Sequence, residues 1–168
     1  MEYVILVDEN DEPEGICEKL EAHQQGLLHR AFSVIITDSQ GRWLLQRRAL
    51  DKYHCGGLWT NTCCSHPRPD EDTLAAAHRR LQEEMGMTAE LKALQPLIYL
   101  AKFENGLIEN EYDHVFWGQT NQPPVINPEE VMEYAYRTVA EIEADLALHP
   151  KNYTPWFRML FNRLKKVS

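Results

Sequence analysis

The sequence predicts an α+β fold built on a mixed β-sheet sandwich. Three observations carry that prediction. Strand-like and helix-like segments are mixed, without the strict alternation of an all-parallel sheet. Short β-rich runs are bounded by turn residues. Residues 73–86 carry a one-sided apolar stripe at helical spacing. The 168 residues suit one domain, 1–168. A chain near that size buries about 68–70% of its unfolded surface, so a core forms without staples.

Taken in order, Tyr3–Val7 is β-rich, and acidic turn material with Pro13 follows to Gly15. Residues 16–20 read as a short strand. Residues 31–37 form a strongly apolar strand, Asp38-Ser39-Gln40-Gly41 a turn, and residues 43–47 the returning strand. Residues 49–59 are irregular, broken by Gly56-Gly57, and residues 58–63 read as another short strand. The helix 73–86 follows Pro67-Arg68-Pro69, with Asp72 or Thr73 as cap and Gly86 as stop. Leu74, Ala77, Leu81 and Met85 form its apolar face. Residues 96–103 and 109–117 read as a hairpin around Glu104-Asn105-Gly106. Residues 121–128 hold three prolines and form a loop. Residues 131–137 read as a strand, and 139–148 and 155–167 as helices.

Charge and composition narrow the function. There are 17 Lys and Arg against 26 Asp and Glu, a formal charge of −9, and mean hydropathy is −0.49. That balance argues against nucleic-acid and anionic-membrane binding, which need a basic face. It leaves room for a small anionic substrate met by a local cluster of cations. No apolar run is long enough to span a bilayer, and Met1-Glu2-Tyr3 does not open like a signal peptide. Cys17, Cys55, Cys63 and Cys64 make no disulfide framework. These features predict a cytoplasmic protein with free thiols.

Four constellations could carry chemistry. On the helix, Glu84 lies about 60° and Arg80 about 100° from Leu81, flanking the apolar face, whereas Arg79 and Glu83 point to solvent. Two ordinary surface pairs at i,i+4 would look the same. On a strand, Glu109 and Glu111 share a face with Val115 and Trp117. Two carboxylates turned inward call for a cation between them, while an edge strand would leave them in solvent. His23, His29 and His66 could complete a divalent transition-metal set of imidazole and carboxylate. Their spacing is not that of a zinc finger. Lys19, Arg47, Arg48 and Lys52 include three cations around one irregular loop, which suits an anion site as well as solvated surface charge. Tyr99 tests the hairpin: a three-residue loop with Gly106 in the left-handed region pairs Tyr99 with Glu111, whereas a two-residue Asn105-Gly106 turn pairs it with Tyr112.

The sequence resembles type I isopentenyl-diphosphate isomerases of the Nudix fold, from about Tyr3 to beyond Trp156. The resemblance rests on Glu18-Lys19-Leu20-Glu21-Ala22-His23, Arg47-Arg48-Ala49-Leu50, Leu58-Trp59-Thr60-Asn61, Cys63-Cys64-Ser65-His66-Pro67 and Glu109-Asn110-Glu111. It implies a Nudix-like α/β/α sandwich. It implies that His23, His29, His66, Glu109 and Glu111 bind one divalent metal, Mn²⁺ or Mg²⁺, with Zn²⁺ as a further fit. It implies that Cys64 and Glu111 are the acid/base pair, with Tyr99 assisting Glu111 and Trp156 facing the carbocation. Lys19, Arg48, Lys52 and Arg80 match the diphosphate-binding cations, and Glu84 matches the ligand of a second ion, Mg²⁺, carried in with the diphosphate. The sequence does not assign which of Cys64 and Glu111 acts first; the order leaned to has Glu111 and Tyr99 protonate the alkene and Cys64 remove the second proton. A monomer or weak dimer acting on a small diphosphate is expected.

Two departures stand out. Arg80 occupies a position where the Nudix hydrolase motif has Glu, which removes one metal-binding carboxylate of a hydrolytic site. His54-Cys55-Gly56-Gly57 replaces a segment with an aromatic residue and Pro before Gly57, leaving the shape of the Lys52 loop open. Cys55 could be mistaken for the nucleophile, and Cys17 and Cys63 read as structural thiols. The competing functions are a Nudix diphosphohydrolase and a non-catalytic, metal-stabilised binding module.

Overall fold

The computed structural model describes every residue except Tyr53 and residues 166–168. Its first strands, β1 (Tyr3–Val7) and β2 (Pro13–Glu18), pair antiparallel, and α1 (Lys19–Gln25) follows at once. The Glu18 side chain caps α1 by accepting from the Leu20 and Glu21 amides, and Gly26, at φ 68°, stops it. Lys19 and Leu20 are therefore helical, not the end of a strand as expected. A seven-residue helix is too short to display a helical period in sequence.

The sheet is organised around β3 (His29–Thr37), buried almost throughout. It runs antiparallel to β4 (Trp43–Arg48) through the Asp38–Gly41 turn, where the Asp38 carboxylate accepts from the Gln40 and Arg42 amides. Instead of one strand over 58–63, the chain makes two, β5 (Trp59–Thr60) against β4 and β6 (Cys63–Ser65) against β3. Asn61 sits between them, its amide donating to the Val34 and Cys63 carbonyls.

Helix α2 (Thr73–Met85) is capped by Asp72 and stopped by Gly86, at φ 61°. Its apolar face holds Ala76, Ala77, Leu81 and Met85 but excludes Leu74, which is 38% exposed in the first turn. Arg79 is turned less to solvent than its helical phase suggests, because Glu71 grips its guanidinium at 2.8 and 2.9 Å. Short β7 (Lys92–Ala93) and β8 (Leu97–Lys102) pair with the long β9 (Ile108–Gln119). Gly106, at φ 86°, closes the β8/β9 loop, and Tyr99 pairs with Glu111, the register of the three-residue loop. Strand β9 then runs parallel to β3, with His29 opposite Glu111.

Strand β10 (Val131–Arg137) closes the edge beside β4. Helices α3 (Val139–Leu148) and α4 (Pro155–Leu164) follow, joined through a 3₁₀ turn at Pro150–Asn152. The expected end of α4 lies outside the described residues. Phe32, Val34 and Ile36 pack with α2 on one face of the sheet, and Ile35, Trp43 and Leu45 pack with Phe157, Leu160 and Phe161 on the other. Burial on both faces explains the continuous apolar run of β3. No helix among the described residues is long and apolar enough to cross a membrane.

Candidate active site

Two strand pairings and one side-chain tie bring the chemical groups together. The parallel β3/β9 pairing sets His29 beside Glu111. The antiparallel β3/β6 pairing sets Ser33 beside Cys64. The Thr154 hydroxyl, which caps α4 on the Phe157 amide at 3.3 Å, also bonds Thr60 at 2.9 Å and so fixes Trp156 over β6. One cavity of about 340 Å³ is lined by Cys64, His66, Tyr99, Glu109, Glu111 and Trp156 at one end and by Lys19, Arg48, Lys52, Arg80 and Glu84 at the other.

His23, His29, His66, Glu109 and Glu111 each offer a ligand atom, all within 4.8 Å of one another. His23 and His29 are fully buried, and each donates its Nδ1–H to a backbone carbonyl, Lys19 at 2.6 Å and Leu27 at 2.8 Å. Those bonds fix the tautomer and aim Nε2 into the site. Glu111 Oε2 lies 3.2 Å from His29 Nε2 and 2.7 Å from His66 Nε2, and those two nitrogens are 3.3 Å apart. Glu109 Oε1 lies 3.5 Å from His23 Nε2. Glu109 Oε2 is buried with no hydrogen-bond partner among the described residues. Two buried carboxylates, three converging imidazole nitrogens and an orphaned oxygen fit one divalent cation. Burial drives His66 down to about 4, leaving the neutral imidazole that a metal requires. Despite burial, histidine contacts hold Glu111 well below the usual carboxylate range.

Cys64 is held from three sides. Trp156 Nε1–H donates to its sulfur at 3.1 Å, the thiol faces Asn61 Oδ1 at 3.1 Å, and Ser33 Oγ lies at 3.7 Å. Burial pushes the thiol up to about 12. The Tyr99 hydroxyl donates to Glu111 Oε1 in a short bond, and its ring stacks on Trp156 at 6.4 Å. Burial and the Glu111 charge push Tyr99 well above the ordinary phenol range. Burial raises Cys55 to about 11, and Cys63, fully buried, faces Glu84 at 3.5 Å. Neither thiol shares the Cys64 setting.

At the charged end, Arg80 donates to Glu84 from Nε at 3.1 Å and Nη2 at 2.8 Å. Glu130, absent from the expected set, bridges Arg80 at 3.3 Å and Lys52. Arg48 lies over the Trp156 ring at 5.4 Å, and Lys19 pairs with Glu2 at 3.0 Å. Four further residues were missed: His54, whose Nε2 meets Glu109 Oε1; Asn61; Ser33; and Asp113, which accepts from Ser33 at 2.7 Å. Asn61 lay inside a segment already of interest, and Asp113 has the parity of Glu109 and Glu111. Burial and the neighbouring Glu111 charge push its carboxyl well above the usual range. The altered 54–57 segment marked His54 without suggesting its partner, and nothing local in sequence pointed to Glu130.

The sequence model of the NUDIX domain family matches residues 27–157. The chain is 52% identical over 161 residues, 96% of this chain and 90% of the relative, to a protein of Pectobacterium atrosepticum named isopentenyl-diphosphate Delta-isomerase. It is 49% identical, over 96% of this chain and 85% of the relative, to isopentenyl-diphosphate Delta-isomerase 2 of Aromatoleum aromaticum. Among solved structures, a Deinococcus radiodurans protein superposes with a TM-score of 0.73 at 18% identity, over 88% of this chain and 90% of the other. A MutT protein of Methanosarcina mazei does so with 0.68 at 20%, over 83% and 94%. At those identities the structural likeness speaks for the fold alone.

Proposed function

The chain belongs to the Nudix family and, within it, to the isopentenyl-diphosphate Delta-isomerases, and from that premise we propose how its site divides the work. The enzyme interconverts isopentenyl and dimethylallyl diphosphates, a step of isoprenoid precursor synthesis. A proton is added to the terminal alkene carbon, positive charge forms at the tertiary carbon, and a proton leaves the neighbouring methylene. The diphosphate stays intact.

Cys64 and Glu111 are the two proton-handling groups. The observation that carries this reading is their placement on separate strands around one cavity, with Trp156 touching Cys64 and Tyr99 touching Glu111. General acid–base chemistry needs such a pair within reach of the reacting carbons. The resting charge states favour Cys64, a neutral thiol, as first donor and Glu111, a carboxylate, as first acceptor. The sequence left that order open while leaning to Glu111 and Tyr99 as first donor; the charge states favour the opposite order, and the reverse reaction exchanges the roles. The Trp156 and Tyr99 rings offer electron-rich faces to the cation, and the buried walls keep water from trapping it as an alcohol.

His23, His29, His66, Glu109 and Glu111 would hold the divalent metal, Mn²⁺ or Mg²⁺ with Zn²⁺ also suited to the imidazoles. When bound, it supplies positive charge that orders Glu111 and shifts its proton affinity. Lys19, Arg48, Lys52 and Arg80 receive the diphosphate, with Glu84 placed for a Mg²⁺ that accompanies it. Arg80 in place of a carboxylate favours holding a diphosphate over cleaving it. Four free cysteines support a reducing cytoplasm, and the chain reads as one domain.

Incubation of the metal-loaded enzyme with isopentenyl diphosphate in D₂O tests this function. Deuterium should enter the C5 unit without release of phosphate or pyrophosphate. Phosphate release without exchange would favour a diphosphohydrolase instead.

A further inference from the structure

His54 belongs to the loop whose shape the sequence left open, and it is not one of the five residues whose ligand atoms converge. The loop is tied at its base by reciprocal bonds, Arg48 N–H to the Leu58 carbonyl and Gly57 N–H to the Arg48 carbonyl, both 2.9 Å. Gly56 lies so close to the chain that a Cβ there would stand 2.5 Å from the Leu50 carbonyl oxygen. Cys55 takes the left-handed conformation, φ 55°. This folded-back backbone drives the His54 ring inward to 8% exposure. There it lies 5.5 Å from the His23 ring, 5.3 Å from Phe103 and 6.0 Å from Trp156.

Its Nε2 meets Glu109 Oε1, the same oxygen that faces His23, while Glu109 Oε2 is the buried oxygen without a hydrogen-bond partner among the described residues. A donor on Oε1 therefore selects Oε2 as the free donor of this carboxylate. At the other end of the same residue, the His54 carbonyl accepts from Arg48 Nη2 at 3.5 Å. We propose that His54 is a positioning residue that orients Glu109 for the divalent metal and joins the metal site to the loop carrying the diphosphate-binding cations. The proposal rests on reading the histidine–glutamate cluster as a metal site. A partner of this kind fixes ligand orientation, and its loss typically costs about 10–100-fold in metal affinity.

The test titrates Mn²⁺ into the full chain, without substrate, by the electron paramagnetic resonance signal of free Mn²⁺. His54→Phe keeps a flat ring and removes the N–H, and it should weaken binding by about 10–100-fold with the circular dichroism spectrum unchanged. His54→Gln keeps an amide donor and should recover most of that loss. Phe binding as tightly as wild type overturns the proposal. Gln binding as weakly as Phe also overturns it, by showing that the donor is not what matters. If the wild-type chain takes up no Mn²⁺, the Mn²⁺-site reading itself fails, and this proposal with it. Normal wild-type uptake with an unaffected Phe variant removes only the role of His54.

Discussion

The indole N–H of Trp156 donates to the sulfur of Cys64 at 3.1 Å, joining the first turn of α4 to the short strand β6. The thiol is thereby aimed by an aromatic side chain that also walls the cavity. Cys64→Ala should abolish turnover, by about 10²–10⁴-fold or more, and cost only about 1 kcal/mol through the lost contact. Deuterium exchange and a urea titration check the two halves separately. If turnover persists in the Ala variant, Cys64 is not an acid/base group.

Tyr99→Phe removes the donor from Glu111 Oε1. A buried charged acceptor left short of one bond should cost about 1–3 kcal/mol of stability. We expect kcat to fall more than KM rises, because Tyr99 touches Glu111 and not the cations proposed to receive the diphosphate. Steady-state kinetics checks this, and a change confined to KM would contradict it.

Arg80→Ala removes the two-pronged partner of Glu84, a carboxylate only 4% exposed. Breaking a largely buried pair should cost about 3–5 kcal/mol, since the remaining charge is stranded. KM for the diphosphate should also rise, and no phosphate release should appear. Denaturant titration and phosphate assay read these outcomes.

His66 should make the metal-free protein lose stability in mild acid, while His23, raised despite burial by its Glu109 contacts, acts in the opposite sense. His66 takes up its proton near 4 in the folded state, against 6.5 for an ordinary histidine. The unfolded chain therefore binds the extra proton first as pH falls below 6.5. Stability drops between about pH 6.5 and 4 and levels off below, a loss of the order of 3 kcal/mol from this group. Glu111, whose carboxylate is favoured in the fold, acts in the same direction on acidification. Urea titrations in EDTA at pH 7 and 5 measure the slope, and His66→Ala should flatten it.

Cys55→Asn should leave turnover within the assay's error and stabilise the fold by about 1 kcal/mol, because Asn tolerates the left-handed backbone better than Cys. Cys55 occupies that region at φ 55°. A thermal melt compared with wild type checks the gain, and a lower melting temperature would contradict it.

Features written into consecutive residues were legible in the sequence. A cap at Asp72 or Thr73, the Gly86 stop and a hairpin turn around Gly106 each depend on a few neighbours, whereas the turn's register stayed open between two loop lengths until the Tyr99–Glu111 pairing fixed it. The inward parity of Glu109 and Glu111 needed only strand alternation. The Arg80/Glu84 flank needed only helical phase. Helix α1 was illegible because its fold depends on a Glu18 cap and two turns of chain. The roles of His54 and Glu130 were illegible because their partners lie far away in sequence: Glu109 for one, Lys52 and Arg80 for the other. The two strands read as one at 58–63 were separated by Asn61, whose bond to β3 no local pattern reports.

The parallel pairing of β3 with β9 sets His29 beside Glu111 across 82 positions of chain. Loop closure over such a distance is entropically costly and comes late in folding. The proposed cation site therefore has no local nucleus: α1, β3, β6 and β9 must all be docked before its five candidate ligands meet. Metal uptake should thus serve as a clock for the last folding event, silent in any partly assembled intermediate and appearing together with the native sheet.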